Sequence, residues 1–253
     1  TGKILHVDLT RGETWVEQLD EVLYRRYLGG SALASHFLLR DVKPGIDPLG
    51  PENPLVIMTS VINGLALSGA NRYTAAAKSP LTGGFGEAEA GGYWGPEFKR
   101  TGFDGMIVHG QSEKPVYLYV ADGGCEIRDA SKYWGQLADV VQDGLEAEIG
   151  DKKICVLQTG VAGENKVLYA AMTNQLRHFH GRSGLGAVMG SKLLKAIVVR
   201  GKERLVPSSR EETNGVVKWF REHYDQESDR YHQTGTAGGV PTLQKDGILP
   251  THN

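Results

Sequence analysis

The chain has 253 residues, with 28 basic and 30 acidic side chains and a formal net charge of −2. That balance gives no electrostatic footprint for nucleic acid or for an anionic membrane. The longest apolar runs, Val116–Ala121 and Val167–Met172, fall far short of the about 20 residues that a membrane-spanning helix needs. Cys125 and Cys155 are the only cysteines, too few for a disulfide framework or for a four-cysteine iron–sulfur site. No basic-then-apolar leader pattern opens the sequence, so a cytoplasmic protein is expected. Glycine is in excess at 34 residues, clustered in loops rather than spread as a linker, which suits backbone that approaches something closely.

In chain order, Lys3–Leu19 alternates apolar and polar residues around the turn Thr10-Arg11-Gly12-Glu13 and reads as a hairpin. Glu21–Leu28 and Ser31–Leu39 carry apolar residues at helical spacing, separated by Gly29-Gly30. A proline-rich loop leads to a short buried strand, Leu55–Met58, and a second, Tyr73–Ala77. A glycine-rich turn follows, Thr82–Gly92, then a short helix over Tyr93–Arg100 and a strand at Met106–His109. The pattern then restarts. Val116–Arg128 is a hairpin around Asp122-Gly123-Gly124, Leu137–Ile149 a helix, and Ile154–Leu157 answers Leu55–Met58. Val167–Met172 answers Tyr73–Ala77, and the glycine turn His180–Gly186 answers Thr82–Gly92. Val188–Lys195 answers Tyr93–Arg100, and Ala196–Gly201 (AIVVRG) answers Gly105–Gly110 (GMIVHG). This is an internal duplication over about 1–110 and 113–201, strand-rich with few helices. It predicts an α+β fold of two halves packed about a pseudo-twofold axis. Beyond a polar linker the sequence changes character: Ser208 or Ser209 can cap a helix over Glu211–Asp225, Thr234–Gly239 is a loop, and Gly247–Asn253 closes no element. The expected organisation is a domain over 1–207 and the beginning of a helical second domain over 208–253.

The short motifs exclude more than they assign. Gly184-x-Gly186-x-x-x-Gly190 has the wrong spacing for a dinucleotide fingerprint, and no carboxylate stands about 20 residues on. Gly190-Ser191-Lys192 is not a phosphate-binding loop, because the lysine does not follow the glycine. His178 and His180 share a strand face but have no third metal ligand near in sequence. Cys125 and Cys155 fall in strands and read as small core side chains. Arg72 and Arg182, each beside a glycine-bearing turn, are candidate anion partners: glycine lets backbone N–H groups near a phosphate, and a guanidinium adds a bidentate charge-assisted bond. Solvated surface arginines are the competing reading.

Long ordered segments carry a resemblance. GKILHVDLTRGE at the start, PENPLVIMTSVINGLALSGANRYTAAAKSPLTGGFGEAEAGGYWGPEFKRTGFDGMIV, GVAGENKVLYAAM and HGRSGLGAVMGSKLLKAIVVRG resemble the aldehyde ferredoxin oxidoreductase family from about Gly2 to Gly201. GTAGGVPTLQKDGILPTHN is similar to the start of that family's second domain. The resemblance implies two β-sheets about a pseudo-twofold axis as a base for two pterin dithiolenes holding one tungsten or molybdenum, with magnesium bridging their phosphates. It implies oxidation of an aldehyde to a carboxylate, with electrons passing through a four-iron cluster to ferredoxin. By resemblance Arg72, Gly91, Gly181 and Arg182 contact the cofactor, and the peptide carbonyls of Glu89 and His180 face the magnesium. Glu89 stands where a neutral amide is expected, and His180 where a small residue is usual.

No catalytic residue and no cluster ligand is expected in this chain, which reads as a piece of a larger enzyme or as one subunit of a split one. The expected partners are the remaining domains or a cluster-bearing subunit, ferredoxin or a similar carrier, a small aldehyde or related carbonyl substrate, and, as an open option, a second copy of the chain. Two competing readings are a non-catalytic carrier of the cofactor or of an oxyanion, and a scaffold with degenerate loops.

Overall fold

The computed structural model describes residues 1–249 and contains two compact units, Thr1–Val206 and the segment from Pro207 onward. In the first unit the first half runs β1 (Lys3–Asp8), β2 (Glu13–Gln18), α1 (Glu21–Tyr27), α2 (Gly30–Asp41), β3 (Leu55–Met58), β4 (Tyr73–Lys78), β5 (Phe85–Ala90), α3 (Trp94–Lys99) and β6 (Gly105–His109). The second half runs β7 (Val116–Ala121), β8 (Gly124–Asp129), α4 (Ala138–Ile149), β9 (Cys155–Thr159), α5 (Val161–Glu164), β10 (Met172–Asn174), β11 (His178–His180), α6 (Leu185–Ser191) and β12 (Leu194–Arg200).

The strands form two six-stranded mixed sheets, an α+β fold. One sheet has the order β2-β1-β6-β3-β4-β5, and the other, read from its far side, β8-β7-β12-β9-β10-β11. Each position matches its counterpart, and so does direction: β1 is parallel to β6 as β7 is to β12, and every other pair is antiparallel. The register matches as well. Ile4 lies opposite Gly105 as Tyr117 does Ala196; Met58 opposite Gly105 as Gln158 does Ala196; Thr74 opposite Met58 as Thr173 does Gln158.

Burial explains the uninterrupted apolar strands. Leu55 and Ile57 face a central core, while Val56 and Met58 pack under Leu33, Ala34 and Phe37 of α2 on the outside. In the second sheet Leu157 faces the same centre, while Val156 packs under Val141 and Leu145 of α4. A strand covered on both faces loses the apolar–polar alternation of a half-exposed one. The centre is shared: α3 packs on β9 and β12 of the other half, and α6 touches β3, β4 and β5 as well as its own sheet. Trp94 of α3 is fully buried, and its indole N–H donates to the Ile197 carbonyl of β12 at 3.0 Å.

Several elements differ from the sequence reading; α6, for instance, spans Leu185–Ser191 where the counterpart of the first short helix was expected over Val188–Lys195. Within the glycine-rich stretch 82–92, Phe85–Ala90 is a strand, not a turn. Phe85 and Glu89 are exposed while Gly86, Ala88 and Ala90 are buried, the period of two that a strand requires. The glycine at 86 admits a close approach: a Cβ there would come within 2.7 Å of the Ser79 Cβ and 2.9 Å of the Ser183 Cβ. Conversely, Val167–Ala171 lies outside any strand, because Lys166 takes a positive φ and the Val167 N–H closes a turn onto Ala162; only Met172–Asn174 pairs.

The second unit contains α7 (Arg210–Thr234), a short 3-10 turn over Gly235–Gly239 where a loop was expected, and α8 (Val240–Lys245). Ser209 caps α7, its hydroxyl accepting from the Glu212 N–H at 3.1 Å. Residues 250–253, the end of the stretch expected to close no element, lie outside the described residues. No helix among the described residues is long and apolar enough to cross a membrane.

Trp94→Phe removes a buried hydrogen bond between the halves and should cost about 1–3 kcal/mol in urea unfolding of the first unit. Trp219→Phe, at an exposed position of α7, should stay within about 0.5 kcal/mol.

Candidate functional site

β5 and β11 are the terminal strands of their sheets, and they approach each other without pairing. Strand alternation shows where their edges point. The Ser79 N–H donates to Gly84 O at 2.8 Å, extending the β4–β5 ladder, so Tyr73/Ala90, Ala75/Ala88 and Ala77/Gly86 are the bonded pairs. The peptide groups of Glu87 and Glu89 therefore point off the edge, and the Ser183 hydroxyl donates to Glu87 O at 3.2 Å there. In the second sheet Gln175 N donates to Val156 O at 3.2 Å, so the preceding Asn174 faces β11. Bonds then fall on Asn174/His178 and Met172/His180, and the peptide of Phe179 points off the edge. Glu89 opposite Thr74 and Phe179 opposite Thr173 are equivalent positions of the repeat.

Above this seam is a cavity of about 460 Å³, lined by Arg72, Glu87, Ala88, Glu89, Phe179, Gly181 and Arg182. Arg72 precedes β4 in the first half and Arg182 follows β11 in the second, so the repeat does not relate them, yet both reach this space. The Arg72 guanidinium lies 3.9 Å from the Glu89 carboxylate, with both side chains about half to two-thirds exposed. Glu87 accepts from the Ser31 hydroxyl of α2.

The loop after β11 is fastened to the first half. The Ser79 hydroxyl donates to Ser183 O at 2.9 Å, and Asn174 donates to the Tyr73 hydroxyl at 2.9 Å and to Gly91 O at 3.3 Å. Gly91 tolerates a side chain sterically, whereas Gly92 does not. The latter has φ +90°, and a Cβ there would lie 2.5 Å from the His178 ring.

His180 is fully buried, and its peptide lies in the β10-facing pair with Met172. Its ring Nδ1 is 2.8 Å from Ala88 O, and its ring stands edge-on to Tyr73 at 4.7 Å. Burial pushes the imidazole down to about 4, with the Ala88 bond opposing that shift. His178 and His180 gain no third ligand: among the described residues no group of three or more His, Cys, Asp or Glu could hold a metal. Cys125 and Cys155 are unpaired and sit in β8 and β9, and burial pushes both thiols up to about 12.

The sequence reading missed Glu87, Phe179 and the Ser79–Ser183 latch.

Two matched halves, with two guanidiniums and two strand edges gathered at the seam, define a duplicated α+β domain. The chain belongs to the aldehyde ferredoxin oxidoreductase family, whose N-terminal domain model matches residues 4–201. It is 40% identical over 255 residues to a tungsten-containing aldehyde ferredoxin oxidoreductase of Pyrococcus abyssi, covering 100% of this chain and 42% of that protein. It is 33% identical over 254 residues to the WOR-like subunit of an aliphatic sulfonate oxidoreductase of Pyrococcus furiosus, covering 94% of this chain and 40% of that one. Among solved structures, the active-site complex BamBC of benzoyl coenzyme A reductase with 1,5-dienoyl-CoA matches with a TM-score of 0.87 and 35% identity, covering 90% of this chain and 35% of that one. The chain thus spans about 42% of the length of the first of these relatives.

The buried neutral imidazole gives a pH test. The unfolded chain binds a proton near pH 6.5 that folded His180 refuses until about pH 4, so stability falls as pH drops through that window. His180→Asn should flatten the fall by up to about 1.4 kcal/mol per pH unit at its steepest. His109, also pushed down to about 4 by burial, keeps part of the slope. Urea denaturation between pH 4 and 7 checks this; an unchanged slope would mean that His180 is not a buried neutral ring in solution.

Proposed function

We propose that this chain is the base on which a tungsten or molybdenum bis-pterin cofactor rests, in an enzyme that oxidises aldehydes to carboxylic acids and passes the electrons to ferredoxin. The observation that carries the reading is the convergence, in one cavity, of Arg72, Arg182 and the outward edge of two repeat-related strands. These residues fit the group. Two guanidiniums from different halves suit phosphates, and peptide carbonyls suit magnesium, a hard cation that takes oxygen ligands and keeps several waters. Glu89 supplies one such carbonyl. Strand alternation favours that of Phe179 as its partner over that of His180, the adjacent residue expected from the resemblance. Gly91 and Gly181 leave room beside them.

When bound, the group would supply a two-electron acceptor for the conversion of aldehyde and water to carboxylate and three protons. The residues here do the holding. Arg72 and Arg182 neutralise phosphate charge, Glu89 turns its carboxylate to Arg72, and the seam bonds keep the edge carbonyls in place. The cluster, the substrate pocket and the acid–base groups belong to the remaining length that the relatives possess. The relatives compared above are named as oxidoreductases or as a reductase complex, which supports an enzyme over a carrier. A cytoplasmic location is part of this proposal.

A charge-assisted hydrogen bond contributes about 1.5–3 kcal/mol. In the full-length protein Arg72→Ala should therefore weaken retention of pterin and tungsten by about 10- to 100-fold. Arg72→Lys should recover only part, since an ammonium lacks the planar fork. Metal analysis and pterin fluorescence after gel filtration read this out; full retention in Arg72→Ala would remove the arginine from the site.

A further inference from the structure

We propose that the imidazole of His180 is a positioning residue that sets the separation of the two edge strands beneath the cavity, and so of the carbonyls of Glu89 and Phe179. This rests on the cation site proposed above. The repeat register places His180 opposite Met172 where its counterpart Ala90 lies opposite Tyr73, so the first half fills the same place with a methyl group. A second small residue would complete the packing without burying a polar ring. Instead the ring crosses the seam. Ala88 O can only accept, so His180 Nδ1 carries the proton and donates at 2.8 Å.

Nε2 is buried with no partner, an arrangement that costs free energy and that an apolar side chain would avoid. Position gives that cost a use. Ala88 is flanked by Glu87 and Glu89, whose peptides point off the β5 edge, and His180 directly follows Phe179, whose peptide points off the β11 edge. One side-chain bond therefore ties the immediate neighbours of both candidate carbonyls. The other seam bonds, Ser183 to Glu87 and Asn174 to Gly91, fasten the flanks.

Two variants of the full-length protein separate hydrogen bonding from packing. His180→Asn keeps an N–H donor near the place of Nδ1 but loses volume. His180→Leu keeps volume but has no donor. The readout is the rate at which magnesium leaves the pterin-loaded protein on addition of EDTA, alongside the thermal midpoint. Loss of an outer-shell partner typically weakens a metal site by about 10- to 100-fold. His180→Leu should thus release magnesium at least about 10-fold faster, and His180→Asn within about 3-fold of the parent, whichever has the higher midpoint. Equal rates in the two variants, or a faster loss from His180→Asn, would overturn the proposal. Should neither variant fold, ¹⁵N spectra of the parent decide: an Nδ1–H tautomer supports the bond, and an Nε2–H tautomer overturns it. A parent that holds pterin and tungsten but no magnesium refutes the cation site, and the positioning role falls with it. A parent with magnesium whose two variants behave alike refutes only the positioning role.

Discussion

The edges of β5 and β11 meet without forming a ladder, and the site depends on that. Exposed edges normally recruit other strands and are blunted by charge, twist or cover. Here the two edges approach each other, and side chains bridge where backbone does not. Ser183, His180 and Asn174, all from the second half, donate to Glu87, Ala88 and Gly91 of the first. Direct pairing would have consumed the carbonyls of Glu89 and Phe179; side-chain bridging leaves them pointing off their strands.

The electrostatics of the cavity follow from the same geometry. Two residues apart on one strand, Glu87 and Glu89 point the same way, and both border the space that Arg72 and Arg182 enter. The lining is formally neutral, so an anionic guest is not drawn by a strong unbalanced field. Glu89 competes with any phosphate for Arg72, and at 3.9 Å in a wet site that competition is weak. A divalent cation near the edges would offset the two carboxylates and loosen the hold of Glu89 on Arg72.

Much of the fold was legible in the sequence, because a duplicated strand order leaves its mark in spacing even when identities diverge. GMIVHG and AIVVRG anchor equivalent strands, β6 and β12, and the strand order follows from there. β5 was not legible as a strand: three of its six residues are alanine or glycine, and its exposed face carries two glutamates, so composition argued for a turn while the period of two argued otherwise. Val167–Ala171 misled in the opposite direction: the segment is apolar yet unpaired, and Leu168 and Tyr169 are exposed. For the site, Arg72 and Arg182 stood out by charge beside glycine. Phe179 lines the cavity but carried no chemical signal, since backbone direction is encoded in the sequence only through register. A one-residue slip in a strand exchanges inward for outward, which is the difference between His180 and Phe179.

The packing of α3 on β9 and β12, and of α6 on β3, β4 and β5, bears on how the molecule assembles. A polypeptide carrying one repeat alone would leave the central face of its sheet bare, and its best cover would be a second copy of itself. The present chain makes that dimerisation intramolecular. The linker between the repeats, only a few residues from β6 to β7, replaces a bimolecular encounter with an effective concentration on the order of millimolar for a short tether. At the seam the two repeats differ: alanine stands at position 90 where histidine stands at position 180, an asymmetry that a true homodimer could not express.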